Sequence, residues 1–84
     1  MESLKIVIKA EFYDLIAAGK KKIEYRRVTP FWDTRLYDRT GKKKPYDKIL
    51  FINGYQTKAR RMYVEYKGFK KVGDTYNIYL GKVY

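Results

Sequence analysis

Hydrophobic and polar positions alternate along most of this chain, and the alternation breaks where helices are expected. Residues 4–9 place apolar side chains at every second position, which predicts a strand with one face in the core. Residues 11–18 instead space Phe12, Leu15 and Ile16 three and four positions apart. That spacing predicts a short amphipathic helix, which a glycine then ends.

The same pattern divides the rest of the chain into short elements. An alternating segment is followed by a proline, which suits the first position of a helical turn. A polar, lysine-rich stretch then separates this part from three further apolar runs, of which the first is predicted to be covered on both faces. The predicted elements are a strand at 22–28, one or two helical turns at 30–37, a loop at 38–47, and strands at 48–52, 58–66 and 75–83. A turn is predicted at Asn53-Gly54, and one loop is predicted from Lys67-Gly68 to residues 72–74.

Five short, mostly antiparallel strands and one main helix predict a small α+β domain spanning residues 1–84. So many short strands predict a curled or closed sheet, because closure removes exposed edges. The predicted architecture is therefore a small β-barrel of about five strands, with the helix at its mouth.

The amino-acid composition limits the kinds of functional site that the chain can form. The chain has neither Cys nor His, which excludes a disulfide framework, a thiolate metal site and histidine acid–base catalysis. Twenty Lys and Arg against nine Asp and Glu give a formal charge of +11, which favours a polyanion such as nucleic acid as partner. No metal or cofactor is predicted. A solvated lysine surface, or a basic face that meets an acidic protein, would give the same composition.

A membrane partner and an export signal are not expected. No apolar run approaches the length that spans a bilayer. The first residues, Met-Glu-Ser-Leu-Lys, lack the features of a signal peptide, which predicts a cytoplasmic protein.

The segment between the predicted helix and the second strand carries the most specific motif. It reads G-x-K-x-x-E-x-R, with Gly19, Lys21, Glu24 and Arg26 at the defined positions. Glu24 and Arg26 share a strand face, and Lys21 enters from the helix end. These groups are suited to holding a phosphate or a base edge, whereas the alternative is a surface ion-pair strip that holds a strand edge.

Further candidate ligand-binding residues are aromatic or basic. Trp32 is the only Trp and either stacks on a base or plugs the barrel, while Arg35 beside it is placed to meet phosphate. Arg61, Tyr63 and Glu65 share a strand face that interleaves cation and aromatic. The opposite face of that strand, with Met62 and Val64, is predicted to be core.

The motif, in this position, is similar to the signature of the ASCH (activating signal cointegrator homology) domain of the PUA-like superfamily. The resemblance covers almost the whole chain and is strongest to small bacterial and phage members. It implies a PUA-like β-barrel with a cleft between barrel and helix, and RNA or a modified nucleoside or nucleotide as ligand. On this interpretation the ligand-binding residues are Lys21, Glu24, Arg26, Trp32, Arg35, Arg61 and Tyr63.

The resemblance also implies a hydrolase as the alternative function. Some relatives are implied to remove an acyl group from N4-acylated cytidine, and others to cleave RNA. The catalytic groups would then be Lys21, Glu24 and Glu65. In the amidohydrolases a Thr stands at the position of Glu24, and a later strand supplies a separate Glu, for which Glu65 is the candidate. The difference at Glu24 weakens the amidohydrolase interpretation and leaves the binding interpretation intact.

Overall fold

The structure, a computed structural model that describes residues 3–84, is an α+β fold of five strands and two helices. In chain order the elements are β1 (Ser3–Val7), α1 (Ala10–Ala17), β2 (Ile23–Arg27), α2 (Pro30–Leu36), β3 (Lys48–Ile52), β4 (Arg61–Val72) and β5 (Thr75–Val83). Neither helix within residues 3–84 has the length and apolar character needed to cross a membrane.

The five strands form one mixed sheet in the order β1-β3-β4-β5-β2. β1 pairs with β3 in parallel, and the three other pairings among the described residues are antiparallel. The sheet curls but stays open between its edge strands β1 and β2, so the fold is a half-barrel. The prediction of a five-stranded, barrel-like α+β fold is confirmed at this level. The barrel is only partly formed, because no strand pairing joins β1 to β2 within residues 3–84.

The inner face of the sheet, on which both helices pack, carries the core. Alternate residues of each strand point inward, as the pleat requires. Fully buried members come from every strand except β2 and from both helices. They are Leu4, Ile6, Ile16, Leu36, Ile49, Phe51, Val64, Tyr76 and Ile78. The core is therefore continuous from the sheet to the helices, whereas β2 contributes none of these fully buried side chains.

The face of α1 that packs on the sheet differs from the predicted one. Tyr13 and Ile16 are buried, whereas Phe12 and Leu15 remain exposed. The Arg60 guanidinium lies 4.5 Å from the centre of the Tyr13 ring. Because adjacent helix positions differ by about 100°, burying positions 13 and 16 turns positions 12 and 15 toward the helix margin.

Strand β4 is longer than predicted. It continues through Lys67 and Gly68, which were expected to form a loop, as far as Val72. The pairing of β4 with β5 shifts register on either side of Tyr66, so that these residues form bulges within the strand. Gly68 has a φ of 92°. The glycine therefore lies at a bulge inside the strand and does not end the strand.

Helix α2 forms as expected for a proline at the first position, and it is fastened to the sheet. Thr29 caps the helix by accepting a hydrogen bond from the backbone N–H of Trp32 at 3.3 Å. The hydroxyl of Tyr76, on β5, donates to Asp33 at 2.5 Å. Burial, followed by this contact, raises the pKa of Tyr76 well above its usual range, so the hydroxyl keeps its proton and its bond. The helix is thereby held in one orientation beside β1 and β2.

Candidate functional site

The open line between edge strands β1 and β2, here called the seam, is bridged by Arg26. Its Nη2 donates to the carbonyl oxygen of Val7 at 3.3 Å. The side chain of Arg26 therefore connects the last residue of β1 to the inner face of β2, across the point where a closed barrel would have had backbone pairing. Two concavities lie along the seam, and Arg26 and Val7 line both.

Glu24 is the buried acid at the centre of this arrangement. It lies on the inner face of β2, in register with Ile78, and is only 6% exposed. Its Oε2 accepts from Arg26 Nε at 2.8 Å and lies 2.7 Å from Arg26 Nη2. Its Oε1 lies 3.5 Å from Lys21 Nζ. Both carboxylate oxygens thus face cations, and the carboxylate positions Arg26 at the seam.

The sequence brings Lys21 to Glu24 through the end of α1. Gly19 has a φ of 73°, a left-handed conformation that glycine adopts without strain, and its N–H donates to Ile16 O at 3.0 Å. The chain then turns back into β2 with Lys21 beside the strand. The Lys21 ammonium also lies 5.5 Å from the Phe12 ring centre and 5.2 Å from that of Tyr25. The side chains of Lys21 and Arg26 therefore meet at Glu24, although Lys21 itself lines neither concavity.

The larger concavity, called the main cleft, has a volume of about 720 Å³. This volume lies within the range of small-molecule sites, roughly 300–1,000 Å³. The main cleft is lined by β1, Arg26, the Phe31–Arg35 side of α2, Tyr46 and Tyr55. Its lining includes Lys5, Arg26 and Arg35 and no acidic side chain among the described residues. The cleft therefore combines aromatic walls with positive charge.

Two neighbouring aromatic residues of α2 have different roles in the main cleft. Trp32 is 9% exposed and belongs to the core, with the Arg26 guanidinium 5.2 Å from its ring centre. Phe31 is 56% exposed and meets Trp32 edge to face at 5.5 Å. Arg35 lies 4.4 Å from the Phe31 ring centre. Phe31 therefore provides most of the exposed ring surface of this pair, with Arg35 over the ring and Trp32 as its support.

The second concavity, called the side hollow, has a volume of about 410 Å³. Strand β2 and the end of β1 form its walls, and Phe12 of α1 closes one side. Its charged lining consists of Lys9, Glu24, Arg26 and Arg27.

Three of the sequence-predicted site residues lie elsewhere. Arg61, Tyr63 and Glu65 occupy the outer face of β4, since the intervening Val64 is fully buried. The Glu65 carboxylate lies over Gly81 of β5, where it accepts a hydrogen bond from the backbone N–H of Lys82 at 3.2 Å. Glu65 is therefore on the opposite face of the sheet from Glu24 and does not face the Lys21 ammonium.

Several residues of the main cleft were not among the predicted site residues. Phe31, Tyr46, Tyr55 and Lys5 all line it. Tyr46 is tied to α2 through its hydroxyl, which donates to Arg35 O at 2.7 Å. Phe31 could have been selected as a candidate from the sequence, because it directly precedes a buried position of a short helix. The other three come from distant segments that only the tertiary fold brings together.

The chemistry available at the seam is recognition of anions and aromatic rings. Within residues 3–84, no group of three or more acidic side chains is placed to hold a metal ion. Glu24, the one buried acid in the described part of the chain, already faces two cations. This arrangement suits a fixed electrostatic cradle better than a free general base.

Searches against protein-family models, curated proteins and solved structures found no match to this chain. The resemblance to the ASCH domain therefore depends on the motif residues Gly19, Lys21, Glu24 and Arg26 and stays a prediction.

Proposed function

We propose that this chain is an ASCH-type, PUA-like domain that binds RNA or a modified nucleotide in the main cleft. The supporting observation is the cleft itself, whose described lining joins an exposed Phe31 ring to three cations without any acid. Phe31 provides a surface for base stacking, and Arg35 and Lys5 provide phosphate contacts. The half-barrel with an open seam is compatible with a PUA-like barrel.

The motif residues have a positioning role in this proposal. Glu24 holds Arg26 at the seam through two short contacts, and Arg26 in turn lies against Trp32. A guanidinium held in this way loses little conformational freedom when an anion binds, which favours affinity. The +11 charge attracts a polyanion from a distance, and the cleft supplies the specific contacts.

Hydrolysis is not part of the proposal. Two acid–base partners for Lys21 were considered from the sequence, Glu65 and Glu24, and Glu65 lies on the face of the sheet opposite Glu24. The pair that does form, Lys21 with Glu24, places the carboxylate against two cations. This contact supports a binding cradle.

The proposal is tested by comparing Arg35→Ala with Arg61→Ala. Each variant removes one exposed arginine, from the main cleft and from the outer face respectively. We expect Arg35→Ala to weaken binding of a short single-stranded RNA by about tenfold, as for loss of a charge-assisted hydrogen bond. We expect Arg61→Ala to change it by less than about twofold.

Fluorescence anisotropy at several salt concentrations measures both affinity and salt dependence. For the parent protein the affinity should fall steeply between about 50 and 200 mM salt. Equal losses for the two variants would mean that only the overall charge matters, which would contradict binding in the main cleft. Failure of any RNA or nucleotide to bind at low salt would overturn the proposal.

A further inference from the structure

The main cleft and the side hollow are neighbours along one line. Both are lined by Arg26 and Val7, whose hydrogen bond crosses the seam between them. A ligand confined to the main cleft would leave the side hollow empty. A chain-like ligand that follows the seam would occupy both and pass Arg26 on the way.

The side hollow repeats the chemistry of the main cleft. Tyr25 points away from the face of β2 that carries Glu24 and Arg26, so the side hollow runs over the edge of this strand. Tyr25 is 56% exposed, like Phe31, and Phe12 of α1 is also exposed. Lys9 and Arg27 add positive charge, and the only acid in the described lining is Glu24, which is already paired. Each concavity therefore offers a partly exposed aromatic ring with a cation over it, Arg35 over Phe31 and Lys21 over Tyr25 and Phe12. Proteins combine aromatic rings and cations in this way to bind successive bases of a single strand.

We infer that the ligand is single-stranded RNA rather than a free nucleoside, with two adjacent nucleotides bound along the seam. One base stacks on Phe31 in the main cleft, and its neighbour stacks on Tyr25 and Phe12 in the side hollow. The phosphate that links them lies at Arg26. This inference rests on the proposed function and defines its substrate class.

Arg26 is suited to the linking phosphate by its position and its remaining donors. Its Nε and Nη2 are engaged with Glu24 and Val7, while Nη1 has no hydrogen-bond partner among residues 3–84. About a quarter of the side chain, 26%, is exposed to solvent. A fixed guanidinium with a free donor between two stacking surfaces matches the alternation of base and phosphate in a nucleic acid strand.

The test uses dinucleotides of equal charge. The intact homodinucleotides ApA, CpC and UpU are compared with versions in which either base is replaced by hydrogen. Because stacking would be lost at one concavity, removing either base should weaken binding by at least about fivefold. The corresponding nucleoside monophosphates measure the main cleft alone, with binding followed by NMR titration.

A matched pair of variants locates the second base. Tyr25→Ala should weaken binding of the intact dinucleotide by at least about fivefold and change mononucleotide binding by less than about twofold. Tyr63→Ala removes an exposed tyrosine from the outer face and should leave both unchanged. Phe31→Ala should weaken binding of both probes.

The outcomes separate the two proposals. If Phe31→Ala weakens mononucleotide binding but the abasic and intact dinucleotides bind equally, the main cleft binds a nucleotide and the two-nucleotide inference is wrong. An equal effect of Tyr25→Ala on both probes also overturns the inference. If neither probe binds, or binding is insensitive to Phe31→Ala, the proposed function fails and the inference fails with it.

Discussion

Replacing Glu24 by alanine should lower the free energy of unfolding by about 2–3 kcal/mol, because it leaves two cations without their shared anion. Glu24 is the only buried charged residue among those described, and Lys21 and Arg26 both contact its carboxylate. Breaking a fully buried pair costs about 3–5 kcal/mol. The smaller value applies here because the side chains of Lys21 and Arg26 are partly exposed.

The loss should appear as a lower midpoint in thermal unfolding, on the order of 10–20 °C for a chain of this length. Glu65→Ala is the matched control, since it also removes a carboxylate from a strand, on the outer face. We expect that variant to change stability by less than about 1 kcal/mol. Equal destabilisation by the two variants would show that Glu24 does not hold the seam.

Replacing Trp32 by alanine should cost about 3–4 kcal/mol of stability, whereas Phe31→Ala should cost about 1 kcal/mol or less. Trp32 is nearly buried and supports the Arg26 guanidinium, so its removal leaves a cavity next to the seam. Phe31 is more than half exposed and loses mainly its edge-to-face contact with Trp32.

The ligand affinities of these variants should follow a different order. Phe31→Ala should remain folded and weaken RNA binding about tenfold or more, because it removes the stacking surface of the main cleft. Thermal unfolding and binding are measured on the same preparations, so that folding and affinity are separated. A stable Trp32→Ala variant, or a Phe31→Ala variant with undiminished affinity, would contradict the roles assigned to the two rings.

Much of the local structure was predictable because it depends on neighbours in sequence. The alternation of apolar and polar residues predicted β1, and the proline predicted the start of α2. The same parity correctly grouped Arg61 with Tyr63 on a face opposite Val64. These features follow from the period of each element and need no tertiary information.

The tertiary arrangement was less predictable. Parity showed that Glu24 and Arg26 share a face, but an acid and a base at alternate positions are typical of a solvated face. The register of β2 on β5 places them on the inner face, where Val7 and Trp32, from distant segments, meet Arg26. The strand order β1-β3-β4-β5-β2 likewise decides that β4 is remote from the seam. No local pattern encodes that order, which is why Glu65 was a candidate partner for Lys21.

Mapping a short single-stranded RNA onto the protein by NMR chemical-shift perturbation is the most direct test of binding along the seam. We expect the shifts to concentrate at the backbone amides of Val7 and Arg26 and at the indole N–H of Trp32. The amides of Tyr63 and Gly81, on the outer face, should change little. Perturbations confined to the outer face, with the seam unaffected, would contradict the account.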